Sequence, residues 1–234
     1  MARFARVVVP KVAHHITQRG NARQPVFREP DEFRTYLQLL ADNCRAYRLR
    51  LLGYCLMSNH VHLVAIPERP DSMALALRHT HGRYAAFLNI ARASSGHVWQ
   101  GRYYSCPLDD AHLWTALRYT ELNPVRAGLV DTADAYHWSS ARAHCRGAAD
   151  HLLDLEPWQD RWTPGGWREL LLAPGDPQDA EAIRAHSHTG RPLGSRDFVA
   201  GLERRLARPL APRPGGRSPK RTAAEPALLF SAAP

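Results

Sequence analysis

Three short segments carry residue types whose spacing could do chemistry. The first is His60-Val61-His62, inside an otherwise apolar run. In a strand, alternate side chains share a face. His60 and His62 would then project together, while Val61, Leu63 and Ala65 pack the opposite way. Two imidazoles on one face can donate lone pairs to a single divalent metal. Two surface histidines on a half-exposed strand account for so short a pattern equally well, although the apolar company argues that the histidines have a reason to be there. The second segment is Arg118-Tyr119-Thr120-Glu121-Leu122-Asn123-Pro124. Tyr119 and Asn123 stand at i and i+4 of one helix and share a face. A phenol can attack phosphorus as a covalent nucleophile, and an amide oxygen can be a hard metal ligand. A core tyrosine with an asparagine closing a helix before proline is the plainer reading of the same letters. The third segment is Arg102-Tyr103-Tyr104, with Trp99 close by. Aromatics beside arginine can stack bases and neutralise phosphates of single-stranded nucleic acid; they also suit ordinary β packing. His14 and His15 are adjacent on a strand, one for each face, and neither is assigned to the site.

The elements that must position these groups follow from periodicity. Residues 12–18 are β-branched and end at the turn pair Gly20-Asn21, which predicts a strand. Phe33, Tyr36, Leu37, Leu40 and Tyr47 recur at helical spacing across 31–49. GYCLM and VHLVAI, separated by Ser58-Asn59, read as an antiparallel pair closed by Pro67 and Pro70. A second helix is expected over 72–91. A strand is expected over 98–105, with Gly101 as a bulge. A third helix is expected over 109–123, capped by Asp109 or Asp110 and ended by Pro124. The order strand, helix, strand, strand, helix, strand, helix predicts an α+β fold: a ferredoxin-like antiparallel sheet with helices packed on it, plus a helical and irregular C-terminal extension.

Four segments are expected: 1–132 as the catalytic domain, 133–175 as a Trp-rich accessory layer, 176–208 as a short helical region, and 209–234 as a basic, Pro-rich flexible tail. Trp138, Trp158, Trp162 and Trp167 are expected to pack the accessory layer onto the main domain, and 178–188 and 195–207 to be helices. Residues 201–234 hold six prolines, seven basic residues and two acidic ones, the composition of a solvated chain.

Charge points the same way as the aromatics. The 234 residues include 31 Lys and Arg against 22 Asp and Glu, a net of +9, and nearly all of the cations are Arg. An arginine-rich basic chain suits a polyanionic partner, although a genome that favours Arg over Lys gives the same balance. The four cysteines are scattered without a C-x-x-C pair, which argues against structural zinc and against a disulfide framework. Neither an apolar leader nor a membrane-length run is visible. No membrane association is therefore expected, and the expected location is the cytoplasm, at the nucleoid.

Four segments, YCLMSNHVHLVAIP, QGRYYSCPL, LRYTELNPVRAGLV and WSSARAH, occur in this order between about Val12 and Ala143. Together they resemble the REP-associated tyrosine transposases, a branch of the HUH single-tyrosine transposases. GRPLGSRDFV resembles the C-terminal part of the same family. The resemblance implies the HUH endonuclease fold, with Tyr119 as nucleophile and His60, His62 and Asn123 as ligands of Mg²⁺ or Mn²⁺. Two nitrogen donors suit Mn²⁺ better. It implies metal-dependent cleavage and strand transfer of single-stranded DNA through a 5′-phosphotyrosine, on hairpin-forming palindromic repeats, by a monomer or homodimer. Arg102, Tyr103, Tyr104 and Arg191 are the expected DNA contacts. Two other readings compete. A histidine-triad hydrolase would need a third histidine where Val64 stands. A non-cleaving hairpin-binding regulatory or structural protein fits the same motifs.

Overall fold

The computed structural model describes residues 5–211. Its central feature is a four-stranded sheet made of β1 (His14–Arg19), β2 (Leu49–Met57), β3 (His60–Pro67) and β4 (Tyr104–Pro107). The strand order is β2-β3-β1-β4, and every neighbouring pair is antiparallel. α1 (Pro30–Ala46) connects β1 to β2, and α2 (Ser72–Ala91) connects β3 to β4. This is the expected ferredoxin-like α+β arrangement. α1 starts with Pro30 at a first-turn position, and Glu29 and Glu32 close a reciprocal capping box.

The two-residue period of the strands sorts side chains between two cores. Ile16, Val61, Leu63 and Ala65 pack against α1 and α2 through Phe33, Tyr36, Leu40, Leu77 and Tyr84. On the other face Leu52, Val64 and Cys106 pack against α3 (Asp110–Glu121) and the chain that follows it. α3 lies close to the sheet because Gly53 sits at an irregularity in β2. A β-carbon there would fall 2.1 Å from Leu117 Cδ1, so any larger residue would force Leu117 to move.

Two expectations about boundaries are corrected. Within 98–105, only Tyr104 and Ser105 belong to a strand. Trp99 makes an isolated bridge to Gly20, and Gly101, at φ 148°, takes the chain off the pleat. Pro124 does not end the helical path. α3 stops at Glu121, and Pro124 enters the first turn of a short α4 (Asn123–Arg126), where a missing N–H costs nothing.

The Trp-rich segment splits. Trp158 and Trp167, from α6 (Glu156–Gln159) and α7 (Pro164–Leu172), join Trp114 and Trp162 on the α3 side of the sheet. Trp138 instead stacks on Phe33, centroids 4.5 Å apart, on the α1 side. Its neighbourhood runs along the edge strand β2, with Leu56 N–H donating to the Trp138 carbonyl and Ser140 N–H to that of Tyr54. An otherwise open sheet edge is thereby covered. α5 (Ala141–Arg146) follows, and α8 (Pro177–Thr189) and α9 (Arg196–Leu206) match the two helices expected. At the start of the supposed tail, Leu210 is buried against Val7, Val9 and Leu202. The rest of the expected tail, 212–234, lies outside the described residues.

The accessory segment is tied to α3 by one buried carboxylate. Glu121 accepts from the Ser140 hydroxyl at 2.5 Å, from Trp167 Nε1 at 2.8 Å, and pairs with His144 Nδ1 at 2.5 Å. Both Glu121 and His144 are fully buried. Removing one member of such a cluster strands the others without partners. Glu121→Ala is expected to lower unfolding free energy by about 3–5 kcal/mol, measured by urea denaturation.

Two buried histidines on the α1–α2 side make stability depend on pH. Burial pulls the pKa of His14 down to about 4, against opposing hydrogen bonds to backbone, and that of His81 down to about 3. The unfolded chain takes up these protons near pH 6.5 and the folded chain does not. Their contribution is therefore complete above pH 6.5 and is lost as pH falls toward 3–4. The expected loss is about 1.4 kcal/mol per pH unit for each histidine. Denaturation midpoints recorded across this range, with His81→Gln as comparison, check it.

Candidate active site

The tyrosine of α3 and the histidines of β3 meet in one cleft of about 610 Å³ on the α3 side of the sheet. β1 pairs with β3 so that Thr17 faces His62 and Arg19 faces His60. Because Val61 and Leu63 are locked into the opposite core, His60 and His62 are forced toward α3. Their ring centroids are 4.9 Å apart, and that of Tyr119 is 5.6 Å from His62. The Tyr119 side chain lines the cleft although the residue is only 8% exposed.

Asn123 serves two purposes. Its amide nitrogen donates to the carbonyls of Tyr119 and Thr120, both at 3.1 Å. This is the helix-closing role that the sequence also allowed. With the nitrogen so engaged, the side-chain oxygen is the atom Asn123 can offer to the cleft it lines.

The histidines are electrically neutral at ordinary pH. Burial lowers the pKa of His60 to about 4, with Arg19 pushing the same way, and carries that of His62 well below the usual value. Neutral imidazoles keep a lone pair to donate. Among the described residues no three His, Cys, Asp or Glu side chains are arranged to hold a metal ion. The amide oxygen of Asn123, in the same cleft as His60 and His62, is a hard donor of the kind divalent ions take. This donor set fits a divalent cation.

Several residues of the site were not anticipated. His15, unassigned because one of the pair had to face each way, turns into the site. Its Nε2 lies 3.0 Å from His62 Nδ1, while His14 turns to the other face, where its Nε2 accepts from the Val9 N–H and its Nδ1 lies 2.8 Å from the Val12 carbonyl. Arg126 places its guanidinium 4.2 Å from the Tyr119 ring centroid and donates to the Tyr119 carbonyl at 2.7 Å. Its i+7 spacing from Tyr119 was a legible sign. α8 adds Arg184, Ser187 and His188, and no pattern in the sequence pointed to them. Arg19, Arg23, Arg126 and Arg184 line the cleft, with no carboxylate among its described lining residues.

The expected DNA contacts divide. Tyr104 lines the cleft and stacks on His188, with centroids 5.4 Å apart and planes 17° apart. Arg102 and Tyr103 line an adjoining hollow of about 210 Å³, where Arg6 lies over the Tyr103 ring at 3.6 Å. Arg191 is a lining residue of neither and donates to the carbonyls of Leu210 and Ala211.

Known proteins resemble this chain in sequence and in fold. Residues 8–123 match a family model described as "Transposase IS200 like". A REP-associated tyrosine transposase of Haemophilus influenzae is 25% identical over 121 residues, which cover 47% of this chain and 67% of that protein. A solved REP-associated tyrosine transposase bound to a REP hairpin superposes with a TM-score of 0.53 at 16% identity. That match covers 66% of this chain and 92% of the other, and it supports the fold. Among the described residues no helix is long and apolar enough to cross a membrane.

Proposed function

We propose, from the match of residues 8–123 to the IS200-like transposase model and the similarity to a REP-associated tyrosine transposase, that this chain is a transposase of that kind and cuts and rejoins single-stranded DNA through Tyr119. The observation that carries the proposal is the convergence of a phenol, two neutral imidazoles and four arginines in one cleft with no carboxylate among its described lining residues. Such a lining attracts anions, backbone phosphates among them. The resemblance that first suggested these roles also suggests the substrate, a palindromic repeat folded as a hairpin with a single-stranded flank.

In this reading the guanidinium groups of Arg19, Arg126 and Arg184 neutralise backbone phosphates and draw one of them toward Tyr119. The phenol oxygen attacks phosphorus. An oxygen–phosphorus bond forms to Tyr119 as the bond to the 3′-oxygen breaks. The phenol loses a proton and the departing 3′-oxygen gains one. The 5′-phosphotyrosine retains the energy of the phosphodiester, so a second 3′-hydroxyl can reverse the step and join a new strand. The cation of Arg126 beside the ring favours the negative charge that grows on the phenol oxygen. Mg²⁺ or Mn²⁺ at His60, His62 and Asn123 would supply Lewis-acid polarisation of a non-bridging phosphate oxygen.

Incubation of the protein with a hairpin-bearing single-stranded oligonucleotide and Mn²⁺ is expected to yield a covalent adduct, seen on a denaturing gel. Tyr119→Phe should abolish it. His60→Ala should reduce it at least about ten-fold while leaving most DNA affinity. Tight binding by the wild type with no adduct would identify a hairpin-binding protein that does not cut. A second measurement addresses the arginines. Arg126→Ala and Arg184→Ala should each flatten the dependence of log affinity on log salt by about 0.7. An unchanged slope in both would remove the DNA from this cleft.

A further inference from the structure

His62 has no free choice of nitrogen for the cleft. Its Nδ1 lies 3.0 Å from Nε2 of His15, and the two rings are stacked 22° from parallel. On the far side of His15, Nδ1 lies 2.6 Å from the Ser187 hydroxyl of α8. That hydroxyl is 3.5 Å from Cys106 Sγ. His15, His62 and Ser187 are all buried.

A single hydrogen must sit between the two facing nitrogens, since two N–H groups would clash and two lone pairs would repel. With one proton on each ring, the two tautomers are coupled. In one arrangement both rings are protonated on Nδ1: His62 donates to His15, and His15 donates to Ser187. In the other, both are protonated on Nε2 and Ser187 donates inward. Only the first leaves a lone pair on His62 Nε2; the second puts an N–H there instead. A serine hydroxyl can accept from His15 and turn its own hydrogen toward the Cys106 sulfur.

We infer that His15 and Ser187 are positioning residues that hold His62 in its Nδ1–H form, so that a helix beyond the family-matched stretch sets the donor state of a strand histidine. The inference rests on the reading of His60 and His62 as cation ligands given above. Metal-binding imidazoles commonly give their other N–H to an outer acceptor, and loss of that acceptor weakens binding by about 10–100-fold.

Ser187→Thr keeps the hydroxyl, and Ser187→Val replaces it with a methyl group of the same shape. Their difference isolates the hydrogen bond. In the metal-free full chain labelled with ¹⁵N-histidine, long-range ¹H–¹⁵N spectra report each tautomer directly. The wild type and Ser187→Thr are expected to carry Nδ1–H on both His15 and His62, and Ser187→Val to shift His62 toward Nε2–H. Titration with Mn²⁺, followed by electron paramagnetic resonance, is expected to give about ten-fold or greater loss of affinity in Ser187→Val relative to Ser187→Thr. His62→Ala assigns the resonance and tests the underlying reading. If it binds Mn²⁺ as the wild type does, the metal reading fails, while the tautomers remain readable. If His62→Ala loses Mn²⁺ but the Val and Thr variants agree in tautomer and affinity, the relay is wrong and the metal reading stands. Nε2–H on both rings of the wild type would also overturn the relay, without recourse to any variant.

Discussion

The register between β1 and β3 is the constraint on which the site depends. Strand side chains alternate with a period of two, so a slip of one residue exchanges the faces. Here one face of β3 offers Val61, Leu63 and Ala65, all fully buried under α1 and α2. The opposite slip would put two imidazoles into that hydrocarbon and three apolar side chains into the cleft. The core on one side of the sheet therefore specifies the chemistry on the other. β1 obeys the same rule, with Ile16 in the core and His15, Thr17 and Arg19 in the cleft.

A second constraint sets the distance between strand and helix. Gly53 lets Leu117 settle onto the sheet, and Tyr119 follows it two residues later on the same helix. Glu121 then ties the end of α3 to Ser140, His144 and Trp167. A buried carboxylate is costly without partners, and with three it commits several segments to one arrangement. The Trp-rich stretch thus does more than shield apolar surface. It holds the helix that carries the phenol, while residues near Trp138 cover the β2 edge.

Electrostatics complete the site. Neutral histidines and exposed arginines occupy the same cleft, so positive charge is available to an incoming anion while the imidazoles keep their lone pairs. Protonated rings would add charge but could donate nothing. Burial among hydrocarbon and beside Arg19 keeps them deprotonated. α8 supplies both kinds of group, Arg184 at the rim and Ser187 behind His15.

Much of this was written in local patterns. The alternation around His60 and His62, the helical spacing of Tyr119 and Asn123, and the order of strands and helices are properties of neighbouring residues, and periodicity conveys them directly. The strand at 98–105 was misjudged because aromatic and β-branched residues suit a pleat, whereas the conformation of Gly101 decides where the pleat starts. Pro124 was misjudged because a proline that stops one helix can begin the next. His15 could not be given a side without the partner strand, since two adjacent histidines alternate whichever way the strand faces. Ser187 and Arg184 join the site across more than 100 residues of chain, and Trp138 crosses to a different core from the other tryptophans. The sequence by itself determined which residues share a face, because that depends only on backbone period. Which faces meet was decided by the tertiary structure, because strand register, helix height over Gly53 and the docking of α8 are set by packing between segments far apart in the chain.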